Sequence, residues 1–232
     1  MKKPKLLLIF YFLLAIAELA SHWFTIPTLH MTSKPLLLIV LLLYLFISAR
    51  GVQTKTIRFI QFGLVFSWIG DVLLMFVDHG QMYFIGGLAA FLITHIFYII
   101  AFSLSADGEG SYIRKRPLAA LPFVFIGVFL FYSLYPALGE LKIPVLLYTI
   151  VITTMVVFAL NRIEKVSAKS FRYVYYGAII FMISDAVLAI NKFLVPVENS
   201  QIIIMASYIL AQFLIVEGVL QQGEKKNTNN AA

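Results

Sequence analysis

The chain has 232 residues, 61% of them hydrophobic and only 12% charged, with a mean hydropathy of +0.93, whereas a soluble domain is about half apolar and a quarter charged. This composition indicates an all-α polytopic membrane protein. The lack of cysteine excludes disulfides, thiolate metal sites and thiol nucleophiles, and the net charge of +7 comes from basic residues set between apolar segments, which argues against nucleic acid as a partner.

A bilayer core of about 30 Å needs roughly 20 apolar residues per helix. Eight stretches qualify, at about 5–24, 34–50, 57–77, 82–104, 117–135, 141–161, 171–192 and 201–221. Turn-forming residues separate them, among them Thr25-Ile26-Pro27, Asp78-His79-Gly80 and Tyr135-Pro136. Pro35, Pro117 and Pro144 are expected near helix starts, where a missing N–H costs least. Residues 1–222 then read as a single transmembrane domain and 223–232 as a disordered polar tail. The first segment follows Lys2, Lys3 and Lys5 and carries Ala15-Ile16-Ala17, as a cleaved signal peptide would. Glu18 and the seven later segments favour a retained helix.

Lys and Arg alternate strongly between the two sides. On one side lie Lys2, Lys3, Lys5, Arg50, Lys55, Arg58, Arg114, Lys115, Arg116, Arg162, Lys165, Lys169, Arg172, Lys225 and Lys226; on the other lie Lys34, Lys142 and Lys192. By the positive-inside rule both termini face the cytoplasm, as in a multi-pass protein of the cell (inner) membrane.

Within the apolar segments two short motifs match. Gly70-Asp71-Val72-Leu73-Leu74-Met75 and Ser184-Asp185-Ala186-Val187-Leu188-Ala189 each set an aspartate after a small residue, and both helices run in the same direction, which suggests a parallel internal repeat. Counted from the segment middles, each Asp lies three or four residues on, about 5 Å past the midplane, so matching depth is expected. An intramembrane acid costs about 2.5–3.5 kcal/mol on insertion scales and marks a functional site by default. Two at one depth can divide the roles of general acid and general base. Seven residues beyond each Asp, on nearly the same helical face, lie Asp78 and Lys192. Lys192, with Asn191 beside it, is placed to meet a lipid phosphate or to snorkel to the interface.

Other polar residues are second-rank candidates. Glu18 and His22 are spaced i,i+4, and Glu18 is expected in the interior either as a site member or as a partner of Lys34, at the start of the second helix. His95 with Tyr98, and Tyr208 with Gln212, are placed to orient the acids or simply to hydrogen-bond between helices. Metal ligation by the aspartates with His95, Glu18 or His22 has no recognised spacing behind it, so no metal or cofactor is expected. No nucleophile elbow or phosphate-binding loop is present.

These residues also carry a resemblance. Lys34-Pro35, Gly70-Asp71 with Val72 to Met75, His95 with Tyr98, Ser184-Asp185 through Leu188-Ala189 to Lys192-Phe193, and Tyr208 with Ala211-Gln212 together resemble the YhhN/TMEM86 family of eight-helix membrane proteins. The resemblance implies a lysoplasmalogenase: a membrane hydrolase that opens the vinyl ether bond of a lysophospholipid, giving a fatty aldehyde and glycerophosphoethanolamine or glycerophosphocholine. Asp71 and Asp185 would be its catalytic pair, with membrane lipids around it and the substrate phosphate near Lys192 or Lys34. The competing expectations are a proton-coupled transporter using the aspartates as a relay, and a non-enzymatic scaffold in which they only hold helices together.

Overall fold

The computed structural model describes residues 4–106 and 112–222. The polar tail expected at 223–232, with Lys225 and Lys226, and the basic Lys2 and Lys3 lie outside the described residues. Nine α-helices are described, and no strand occurs among the described residues: α1 (Lys5–Trp23), α2 (Pro27–Ser48), α3 (Lys55–Leu74), α4 (Gln81–Ser105), α5 (Tyr112–Lys115), α6 (Leu121–Leu134), α7 (Lys142–Leu160), α8 (Ala168–Phe193) and α9 (Ser200–Gln222). All but α5 belong to spans long and apolar enough to cross a membrane, the fifth and sixth being Pro117–Ala137 and Gly139–Leu160. The chain divides into two compact units, one ending at Ala101 and the other beginning at Phe102.

In the first unit α1 ends in a tight left-handed turn. The Ile26 N–H donates to the Ser21 carbonyl at 2.8 Å while Thr25 takes a φ of 55°, the arrangement that closes a helix with one residue in the left-handed region. A β-branched residue is disfavoured there, so Thr25→Gly should stabilise the protein by about 1 kcal/mol, read as a higher melting temperature in detergent. Pro27 then opens α2, its fixed φ suiting the first helical position.

This start corrects the expected one. α2 begins seven residues before Lys34, so Pro35 lies inside the helix and Lys34 is buried two turns in rather than at the helix opening. The early start matters because it carries His30 and Ser33 on α2, opposite the end of α1.

Thr54 caps α3 by accepting from the Ile57 N–H at 3.2 Å. Gly63, Ser67 and Gly70 then lie on one stripe of that helix, spaced i, i+4, i+7, where small residues let neighbouring helices approach closely. The Ser67 hydroxyl donates to Thr94 Oγ1 of α4 at 3.2 Å, and that hydroxyl lies 3.1 Å from the Gly63 carbonyl. At Gly70 a methyl group would meet the Phe91 ring at 2.7 Å. α3 stops at Leu74, and Val77–His79 forms a separate 3-10 turn. Asp78 therefore does not continue the face of α3 that carries Asp71.

In the second unit Ser167 caps α8, accepting from the Ser170 N–H at 3.2 Å, and α8 packs along α9. They approach closely at Gly218, where a side chain would meet the backbone nitrogen of Val174 at 2.9 Å. That proximity lets the Ser170 hydroxyl donate to the Gly218 carbonyl at 2.7 Å. α6 turns Leu121, Phe125, Phe129 and Tyr132 outward as an exposed stripe, the surface that lipid covers in a membrane helix.

The loop from α7 to α8 holds the largest fully buried side chain, Arg162. Its Nε donates to Ser105 Oγ at 2.7 Å, and Nη2 donates to Ser170 Oγ at 3.0 Å and to Gln222 Oε1 at 3.2 Å. The guanidinium also lies 5.6 Å from the Phe102 ring. Burial pulls its pKa down to about 9, so at neutral pH it still carries its charge. Arg162 thus ties the ends of α4, α8 and α9 together, a role the topology rule assigned to an exposed charge.

Candidate functional site

The described residues place the intramembrane acids in three local settings. The first is Asp71, buried at 3% exposure in the last turn of α3. Tyr11 of α1, itself fully buried, lies within electrostatic reach of Asp71 and of Tyr98 on α4. Three helices of the first unit thus supply polar groups to one buried region. Gly70 allows it, because the Phe91 ring occupies the space a larger neighbour of Asp71 would need. His95 is fully buried on α4, one residue past Thr94.

The second setting is Asp185 in α8, partly buried. Tyr148 of α7 donates its hydroxyl to Asp185 Oδ2 at 2.5 Å. Ser184 beside it donates to the Ile204 carbonyl at 2.9 Å and so pins α8 to α9. Tyr208 stacks edge-on against Phe181, one turn before Asp185, with centroids 5.5 Å apart, and Gln212 is fully buried a turn further along α9.

Asn191 is committed to structure, its side-chain oxygen accepting from the Val197 N–H at 2.9 Å. Lys192 is exposed near the end of α8. Asp71 sits in the last turn of its helix, whereas Asp185 has two turns of α8 beyond it. The two acids therefore do not occupy matched helix positions, because the apolar run after Asp71 outlasts the helix itself.

The third setting is Glu18. Its carboxylate is completely buried, and Oε1 lies 3.1 Å from His22 Nε2 and 2.8 Å from His30 Nδ1. The Ser33 hydroxyl donates to Oε2 at 2.6 Å. Lys34 is not among the groups that bond it. His30 was not distinguished by its sequence context, because Thr28, His30, Thr32 and Ser33 dilute the apolar run, which then reads as a loop. Pro27 after a turn was the signal for the earlier helix start. Tyr148 had no comparable signal, being one of 12 tyrosines at no motif spacing.

The YhhN family model matches residues 29–219. The chain belongs to the YhhN family. It is 34% identical over 167 residues to the Bos taurus protein named lysoplasmalogenase TMEM86A, a match covering 70% of this chain and 65% of that protein. Its Homo sapiens counterpart of the same name is 33% identical over a stretch of the same extent. A Mycobacterium bovis protein named lysoplasmalogenase is 30% identical over 164 residues, 69% of this chain and 60% of that protein. The chain thus spans about two thirds or less of the length of these relatives. No solved structure matches the chain.

Proposed function

We propose that this YhhN-family protein hydrolyses the vinyl ether bond of lysoplasmalogens within the membrane. The observation that carries this reading is the similarity to mammalian and mycobacterial proteins that bear the name lysoplasmalogenase. The chemistry of the aspartates supports it independently. A vinyl ether has no acyl carbonyl, so neither a serine nucleophile nor an oxyanion hole is required. One carboxylic acid protonates the alkenyl carbon β to oxygen, leaving an oxocarbenium ion. The second carboxyl, as carboxylate, stabilises that cation and takes a proton from the water that attacks it, the division of labour of glycosidases. The hemiacetal then collapses: its hydroxyl proton leaves, the bond to the glycerol oxygen breaks, and that oxygen is protonated. The products are a fatty aldehyde and the glycerophospho-alcohol.

In this reading Asp71 and Asp185 share the acid and base roles. Both termini face the cytoplasm, the alkenyl chain enters sideways from the lipid, and the substrate phosphate stays at the opposite face, where Lys192 is exposed at the end of α8. The direct test is aldehyde release from lysoplasmenylethanolamine by purified protein in detergent. Release supports the hydrolase; folded protein that releases none, but drives proton-dependent solute uptake in vesicles, would replace it with the transporter.

Tyr148 acts in this scheme by positioning Asp185. Tyr148→Phe removes one hydrogen bond to a carboxyl group, worth about 1.5–3 kcal/mol if charged, and kcat should fall about tenfold or more with KM little changed and the melting temperature lowered but the protein still folded. A variant that loses stability but keeps kcat would make the bond purely structural.

A further inference from the structure

We propose that Glu18, His22 and His30 form a divalent metal site of the zinc type at the end of the α1–α2 hairpin. The facing donor atoms are a carboxylate oxygen and two imidazole nitrogens, all within 4.8 Å of one another. His22 Nε2 and His30 Nδ1 each lie within 3.1 Å of Glu18 Oε1. Ligands held about 2.0–2.1 Å from a tetrahedral zinc ion are separated by about 3.3 Å, so each histidine–carboxylate pair needs to open by a few tenths of an ångström, while the two ring nitrogens, within 4.8 Å of each other, turn inward to share the ion. Two histidines with one carboxylate is a known zinc set that leaves a fourth position for water, and imidazole also suits the later first-row metals.

Three further features fit a metal. The set is held by fold and not by chance proximity: His22 is one turn from Glu18 on α1, and the tight turn at Thr25 returns the chain so that His30 meets them from α2. The side chains of His22 and His30 are 15% and 22% exposed while Glu18 is 0%, so an ion can enter on the histidine side and keep a water there. Ser33 fixes the second carboxylate oxygen at 2.6 Å, the kind of outer contact that orients a ligating carboxylate.

Without the ion, the two facing ring nitrogens donate hydrogen bonds to Glu18 Oε1. With it, each ring carries its proton on the outer nitrogen, and the facing lone pairs and the carboxylate go to the metal. The exchange requires neutral imidazoles, since a ring nitrogen binds a metal through its lone pair. The proposal uses neither Asp71 nor Asp185 and does not depend on the hydrolase reading.

The test uses the full-length protein, stripped with chelator and purified in detergent. Zinc binding is measured by competition with a chromophoric chelator, and Co2+ serves as a visible-spectrum reporter. The expected result is one equivalent bound, a tetrahedral cobalt spectrum and a melting temperature raised by Zn2+. His30→Ala should lose the spectrum and show no Zn2+-induced rise over its own metal-free melting temperature, which itself falls because the 2.8 Å contact to the buried Glu18 carboxylate is gone. Ser33→Ala keeps all three donors and should weaken binding about 10- to 100-fold. Failure of the stripped wild-type protein to bind Zn2+ or Co2+, or binding unchanged in both His22→Ala and His30→Ala, would overturn the proposal.

Discussion

Asn in place of Asp71 or of Asp185 should lower aldehyde release from a lysoplasmalogen by about 10²–10⁴-fold, the range in which a positioned acid or base contributes. Asn keeps the size and one acceptor of Asp but can neither give nor take the proton. The two single variants should be nearly as inactive as the double variant, since residues that act as a unit are far from additive. Melting temperatures and detergent elution profiles decide what a loss means. A folded, inactive protein places the carboxyl in the chemistry; an unfolded one says only that the buried carboxyl held helices together. Near wild-type rates in both variants would remove the aspartates from the mechanism.

The second large effect concerns stability. Arg162→Ala should cost about 3 kcal/mol or more, combining the cavity left by a fully buried side chain with acceptors on Ser105, Ser170 and Gln222 that lose their donor. Arg162→Lys should recover only part of this, because a single ammonium cannot reproduce the planar fork that addresses three separate acceptors. Arg172, exposed on α8, is the control: its replacement by Ala should stay within about 0.5 kcal/mol. Thermal unfolding in detergent checks all three, and a melting temperature for Arg162→Ala equal to that of Arg172→Ala would show the anchor to be unimportant.

The eight spans were legible because the bilayer imposes a length of apolar sequence that few other constraints mimic. Their ends were less so, for reasons that differ from helix to helix. At α2 the first turns are polar, and hydropathy missed a helix that Pro27 and the turn at Thr25 establish by backbone geometry. At α3 the error ran the other way: Met75, Phe76 and Val77 are apolar, but the helix stops before them, so Asp71 and Asp185 lie at different distances from the ends of their helices. Arg162 read as a topology charge because counting basic residues assumes that they reach water. The acids themselves stood out, since a carboxylate in an apolar run is conspicuous. Their local partners Tyr148 and His30 did not, since contacts 37 and 12 residues away in sequence leave no local pattern.

The buried carboxylate of Glu18 also bears on how the protein is made. During synthesis α1 emerges before α2, and of the described partners of that carboxylate it brings His22 alone; His30 and Ser33 follow once α2 has been translated. An isolated α1 would carry an under-satisfied acid into hydrocarbon, so α1 and α2 should leave the translocon as a hairpin, the second helix completing the polar contacts of the first. Removing the His30 and Ser33 side chains together would then delay membrane integration of α1 before it affected the finished fold.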